Sequence, residues 1–313
     1  MKKRILLSLI SLVIAFATIF SVTSCSNGLD DTKYAIISEN NITDDGLIYS
    51  VYENKTVLIT GRQIDYPELS IPDEINGYPV VEIAECAFEK DEILVLVTIG
   101  KNVKIIRDNA FAECPYLARV EVSENLKKLC SGAFYACPRL AEFVGATGLI
   151  YIDEVAFYNC TALAYFDFPE TVTTINAEAF SGCEMLTEVS LPSKITVVGE
   201  GAFSYCQSLT RVSMGNIKKI PNRLFLNCPS LEYVVVSESV TEIGAHAFRG
   251  CSNLKKIYVP KSVKSVGEAA FAQCEKLNKV YYGGSQSGFT KIKYGAENDF
   301  FKNASIAYNQ KIS

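Results

Sequence analysis

A phenylalanine recurs along this chain at nearly constant spacing, and that period restricts the fold more than any other feature. It stands at Phe88, Phe111, Phe134, Phe157, Phe180, Phe203, Phe225, Phe248 and Phe271, in steps of 23 residues with one step of 22 between Phe203 and Phe225. Alanine precedes it in eight of the nine units, Leu224 being the exception. A unit this short cannot enclose a core of its own, so it has to bury its apolar side against the units before and after it.

An apolar frame repeats with the landmark. Counting from each Phe as position 0, position −5 is Ile83, Ile106, Leu129, Ile152, Ile175, Val198, Ile220, Ile243 or Val266, and position +6 is leucine in all nine units. Position +3 is cysteine in eight units, Cys114 through Cys274, with Asp91 in the first. Position +9 is apolar throughout, and position +11 is apolar except at Gly145. Apolar residues at +9 and +11 alternate as a half-buried strand does. Stacked in register, such strands make one parallel sheet at about 4.8 Å per repeat. The Ala-Phe turn and the cysteine fall on the opposite wall, where short helical or 3-10 pieces fit and a long crossover helix does not.

The frame I-x-x-x-A-F-x-x-C-x-x-L-x-x-V-x-I-P, almost unbroken from Ile175 through Pro192, resembles the BspA-type bacterial leucine-rich repeat. The resemblance covers about residues 45 to 313. It implies a leucine-rich repeat solenoid with a curved parallel β-sheet on its concave side and short turns opposite. Nine repeats would occupy residues 80–282. Residues 45–79, with Leu69-Ser70-Ile71-Pro72 and Asn76-Gly77-Tyr78-Pro79-Val80, resemble the family's opening segment, and residues 283–313 its closing one. Both would act as caps that keep the open ends of the stack from associating.

The amino terminus points to export. Lys2, Lys3 and Arg4 precede an apolar run from Ile5 to Val22, which has the charge and length of a secretory signal. Val22-Thr23-Ser24-Cys25 resembles a bacterial lipobox. The reading is therefore a signal peptide over 1–24, a lipid-bearing Cys25, and a flexible tether over 25–44 that carries Asp30 and Asp31. An uncleaved apolar anchor is the alternative, because the run reaches the lower limit for spanning a bilayer. Losing residues 1–24 would move the formal charge from −5 to −8, since three cations and no acid leave with them. So acidic a chain gains nothing from polyphosphate, and no nucleic-acid partner is expected.

Catalytic and metal chemistry find little footing. The single histidine, His246, sits at a turn position that holds unrelated residues in the other units. No Ser-His-Asp or Cys-His arrangement can be built around it. Cysteines one repeat apart line up along the stacking axis, whereas zinc needs ligands converging on a point. Their Cα spacing of about 5 Å would permit disulfides, but their inward flanks read as small buried residues. Cys86 and Cys130 fall outside that row and their state is left open. No enzyme activity, cofactor or metal is expected.

The outward strand positions remain. Positions +8 and +10 should point away from the core. In units two to five they include Arg119, Glu121, Glu142, Tyr165, Asp167 and Glu188, with a formal sum of −3. In units six to nine they include Arg211, Tyr233, Lys256, Tyr258, Lys279 and Tyr281, with a sum of +3. Any solvated sheet face must carry polar residues, yet Tyr and Arg are also what interface centres favour. The candidate binding surface is Tyr165, Arg211, Tyr233, Lys256, Tyr258, Lys279 and Tyr281. The expected function is a surface-tethered binding or adhesion protein with an extracellular or surface protein as partner. The alternative is a glycan-binding lipoprotein whose exposed tyrosines stack on sugar rings.

Overall fold

The computed structural model describes residues 34–311, which form a stack of about 11 coils. The anticipated strands are present: Glu68–Ile71, Leu96–Ile99, Arg119–Glu121 and Glu142–Val144 pair in parallel, as do Glu188–Ser190 with Arg211–Ser213. So do Tyr233–Val235, Lys256–Val259, Lys279–Tyr282 and Ser305–Ala307. A second line of pairing joins the short strands around position −5. It runs from Tyr78–Ile83 through Ile105–Ile106, Lys128–Leu129, Tyr151–Ile152 and Thr174–Ile175 to Val197–Val198, and resumes from Lys219–Ile220 to Lys293–Tyr294. The strands around +9 form the broad ladder and those around −5 the narrow ladder. Register holds unit for unit, with Val189 beside Val212 and Ile152 beside Ile175.

The wall that carries the phenylalanines is turn rather than helix. Among the described residues, the only helices are Gln286–Phe289 and Asp299–Asn303 in the carboxy-terminal cap. In each repeat the residues at −2 and +2 have left-handed backbone, as at Asn109 (φ 53°) and Glu113 (φ 56°). That alternation aims every second N–H along the stack. Asn109, Phe111 and Glu113 donate to the carbonyls of Ser131, Ala133 and Tyr135 in the next coil at 2.9, 2.9 and 2.6 Å. Ala110 and Ala112 close tight turns on Arg107 and Asn109 instead. A helix would use all of these donors within its own segment. Left-handed backbone costs a non-glycine residue about 1–2 kcal/mol, which the bonds between coils offset.

Inside, the landmark rings form one column, with centroids between 5.0 Å (Phe88–Phe111) and 6.1 Å (Phe203–Phe225) apart. Each +3 thiol donates to the phenylalanine carbonyl of the preceding coil, Cys114 to Phe88 and Cys274 to Phe248 both at 3.1 Å. The eight thiols of this row are free and buried, and burial pushes Cys160 up to about 12. The first repeat has no earlier phenylalanine beneath it. Asp91 stands there in place of cysteine, bonded to the Arg62 guanidinium at 2.7 and 2.8 Å and accepting from the backbone N–H of Ile93 and Leu94. The sequence exception is thus a response to the cap.

Cys130 is buried, whereas Cys86 is exposed and free. Partial desolvation, a hydrogen bond with Glu89 and the charges of Glu89, Glu85 and Asp108 push the Cys86 thiol from its ordinary 9.0 to about 11. The thiolate is the reactive form, so at pH 8 a shift of that size leaves about one hundredth of the usual amount. Iodoacetamide should therefore modify Cys86 slowly at pH 8 and faster as pH rises toward 11. The eight row cysteines should react only after denaturation. Intact mass measured against time and pH checks both, and rapid native labelling of several sites would show that the row is open to solvent.

The caps begin closer to the amino terminus than expected. The flexible tether anticipated over 25–44 does not extend that far, because Ile36–Ile42 is a strand paired antiparallel with Leu47–Tyr52. The turn Thr43-Asp44-Asp45-Gly46 closes this hairpin, with Gly46 at φ 84° and its N–H on the Thr43 carbonyl at 3.0 Å. Cys25 and the anticipated signal segment lie outside the described residues. At the other end, buried Asn298 replaces the missing next coil. Its Oδ1 accepts from the Phe271 N–H at 3.1 Å and its Nδ2 donates to the Gly267 carbonyl at 2.9 Å. No helix among the described residues is long and apolar enough to cross a membrane.

The pairing opens where the sequence leaves its frame. Residues 165–168 are not in a strand, and no backbone hydrogen bond joins residues 164–168 to 141–145. Here position +9 is Phe143 and then Phe166, and +11 is Phe168. These rings meet the column edge-on, Phe143 with Phe157 at 5.2 Å and Phe166 with Phe180 at 5.0 Å, and they hold the coils apart. Both ladders also break between coils six and seven, at the 22-residue step. Gly215-Asn216 makes a turn one residue shorter than Pro192-Ser193-Lys194, and Gly215 takes φ 52° with room for no side chain, since a Cβ would lie 2.6 Å from the Pro192 carbonyl oxygen. Pro221 also lacks the N–H that Gly199 and Gly244 give to the preceding coil at 2.8 and 2.9 Å. A groove of 370 Å³ lies at that break.

Candidate functional site

The outer face of the broad ladder holds Arg211, Tyr233, Lys256, Lys279 and Tyr281 of the residues singled out from sequence, while Tyr165 lies where that ladder is interrupted. Tyr165 and Tyr233 are 63% and 48% exposed. Arg211 and Lys256 are exposed, and Lys279 and Tyr281 are half-buried. Register places Tyr233, Lys256 and Lys279 side by side in one row and Tyr258 beside Tyr281 in the next. Lys279 is held in place: its Nζ lies 5.9 Å from the Tyr281 ring centre and 3.2 Å from Ser305 Oγ. The tyrosines also sense one another. Partial burial, and then the charge of Tyr281, raise the Tyr233 phenol above its ordinary value.

Tyr258 corrects the sequence reading. Alternation puts it on the outer face, yet it is only 3% exposed. Its hydroxyl donates to Glu238 at 2.6 Å and lies so near Gly283 that a Cβ there would sit 2.6 Å away. The glycine after the last long strand leaves a space, the ring folds down into it, and a carboxylate from the preceding coil fixes the hydroxyl. Burial, followed by the bond to Glu238 and its charge, pushes the phenol well above its ordinary value. Tyr258 is thus a support beneath the patch. Glu238, outside the +8 and +10 rows, carried no sequence signal for this role.

The amino-terminal half of the face is arranged differently. Arg119 pairs with Glu121 at 2.7 Å and also with Glu142, which neutralises part of the negative charge. Asp167 is exposed and makes no hydrogen bond or ion pair among the described residues. Where residues 164–168 draw away from the strand before them, a cavity of 260 Å³ opens, lined by residues 141–147 and by Tyr165, Phe166 and Asp167. Sequence reasoning missed it. Its traces were consecutive phenylalanines at +9 and Gly145 at +11, where a Cβ would lie 1.9 Å from the Val122 carbonyl oxygen. Among the described residues, no group of three or more His, Cys, Asp or Glu is placed to hold a metal ion.

In fold, the chain is similar to a leucine-rich repeat protein from Bacteroides ovatus, with 21% identity over 86% of this chain and 71% of that one and a TM-score of 0.65. A leucine-rich repeat protein of T. pallidum matches at 23% identity over 85% of this chain and 100% of that one, with a TM-score of 0.46. No curated protein matches in sequence. Such repeats are a scaffold rather than a catalytic fold. Residues 68–187 and 174–307 match the BspA type leucine rich repeat region, which spans most of the coils, and this chain belongs to that family.

Proposed function

We propose that this chain is an exported, non-catalytic binding protein, tethered to the bacterial surface through lipid on Cys25, which engages an extracellular or surface protein. The observation that carries the reading is the patch of Tyr233, Tyr281, Lys256 and Lys279 on the outer face of one continuous ladder, with Arg211 across the break on the strand before it. Side chains standing on a fixed backbone lose little further entropy on binding. Aromatic and basic groups together suit an acidic partner surface. The anchor has its own test: Cys25→Ser should yield an uncleaved or shed product, and unchanged membrane attachment of a correctly cleaved variant would refute it.

Binding is tested by screening extracellular-matrix and bacterial surface proteins beside a glycan array. Once a partner is found, changing Tyr233 and Tyr281 together to alanine should cost on the order of 2 kcal/mol, about thirtyfold in affinity. Thermal unfolding should shift little, since neither ring is buried. Tyr258→Ala should instead lower the unfolding temperature, because it empties a packed site. Undiminished affinity in the double variant would move the site elsewhere. A glycan hit alone would favour the second reading, which the exposed rings of Tyr165 and Tyr233 support.

A further inference from the structure

We propose that the cavity between coils three and four receives an arginine side chain from a partner protein, at a site separate from the basic patch and not dependent on it. Three features converge there. The first is an acceptor without a donor. At position +7, each N–H elsewhere in this stretch donates to the carbonyl one coil earlier: Ala118 to Val95 at 2.8 Å, Ala141 to Ala118 at 2.9 Å, and Thr187 to Ala164 at 3.2 Å. The bond from Ala164 to Ala141 is missing from this series. The phenylalanines at +9 hold the strands apart, so the Ala141 carbonyl faces the cavity with no backbone partner. Unpaired acceptors in a recess favour a ligand that brings N–H groups.

The second feature is charge. Glu142 and Asp167 line the cavity; nearby, the Arg119 guanidinium is committed to Glu121 and Glu142, and Lys127 Nζ donates to the Glu124 and Gly148 carbonyls. Asp167, on the cavity wall, has no such partner among the described residues. The third is Tyr165, at the edge of the cavity and 63% exposed, among the most exposed aromatic side chains of the described residues. A guanidinium can stack flat on a phenol ring while its several N–H groups reach a carboxylate and a carbonyl, whereas an ammonium is a compact point charge. The size agrees. At 260 Å³ the cavity is below the range of roughly 300–1,000 Å³ that holds a whole small ligand, and it suits one side chain.

Hexa-arginine amide titrated calorimetrically into the full mature chain tests the assignment. Asp167→Asn and Tyr165→Ala should each weaken its binding fivefold or more. Glu188→Gln removes the same charge one coil further along the face and should change it less than twofold. Hexa-lysine should bind more weakly than hexa-arginine. Both altered cavity residues are exposed, so unfolding temperatures should stay level across the variants. Absence of hexa-arginine binding would overturn the proposal. An equal loss in Glu188→Gln would reduce the effect to general charge attraction, and equal affinity for hexa-lysine would remove the guanidinium assignment; either result overturns it as well.

Discussion

Phe157→Ala should destabilise the protein by about 3–5 kcal/mol, the range for removing a fully buried phenylalanine. Phe157 has no solvent exposure and is stacked on both sides, on Phe134 at 5.4 Å and on Phe180 at 5.1 Å. Phe143 and Phe166 also meet it edge-on at 5.2 and 5.3 Å. In a solenoid, stability is close to a sum of unit terms and nearest-neighbour terms, so one deletion weakens two interfaces at once. Each stacked or edge-on pair adds roughly 0.5–1.5 kcal/mol beyond the area it buries.

Position should matter as much as residue type. Phe88 ends the column, with Phe111 at 5.0 Å on one side and cap residues on the other. Phe88→Ala should therefore lose about half as much, because it breaks one stacked interface. Urea unfolding followed by circular dichroism measures both variants. In Phe157→Ala the transition should also broaden or divide, since the weakened junction lies mid-stack. A loss below about 1.5 kcal/mol, no larger than that of an ordinary point substitution, would mean that the ring column fills space without coupling the coils.

Arg62→Met should have the second large effect, about 3–5 kcal/mol, because removing one partner of a buried pair leaves the other charge uncompensated. The side chains of Arg62 and Asp91 are 6% and 13% exposed. Asp91→Cys would restore the residue of the other repeats, but alone it strands the guanidinium and frees the N–H groups of Ile93 and Leu94. Arg62→Met combined with Asp91→Cys should recover more than half of the single-variant loss. A double-mutant cycle in urea measures the coupling, and simple addition of the two losses would show that the pair contributes little as a pair.

The sequence by itself determined the period, the inward positions and the end-to-end stacking. Those follow from which residues are apolar at which spacing, and the column from Phe88 to Phe271 and the leucines at +6 are buried as that spacing requires. The narrow ladder was not legible. Its strands inside the repeats are two residues long, too short to show alternation. The turn wall was not legible either, since its left-handed positions hold residues as different as Glu178, Arg223 and His246, and the bonds that stabilise that backbone belong to the next coil.

The face divides in the same way. Alternation identified the rows at +8 and +10, and it brought Tyr233, Lys256 and Lys279 side by side. Only the tertiary structure decided that Tyr258 lies down beneath that patch, because the space beside Gly283 and the carboxylate of Glu238 come from other coils. Only the structure could show why Asp91 interrupts the cysteine row, or that phenylalanines at two successive +9 positions open a cavity between residues 141–147 and 165–167. Hydrophobic periodicity is a property of one unit and can be read along the chain. The direction a side chain finally takes is set by neighbours a full coil away, and it is settled only when the coils are stacked.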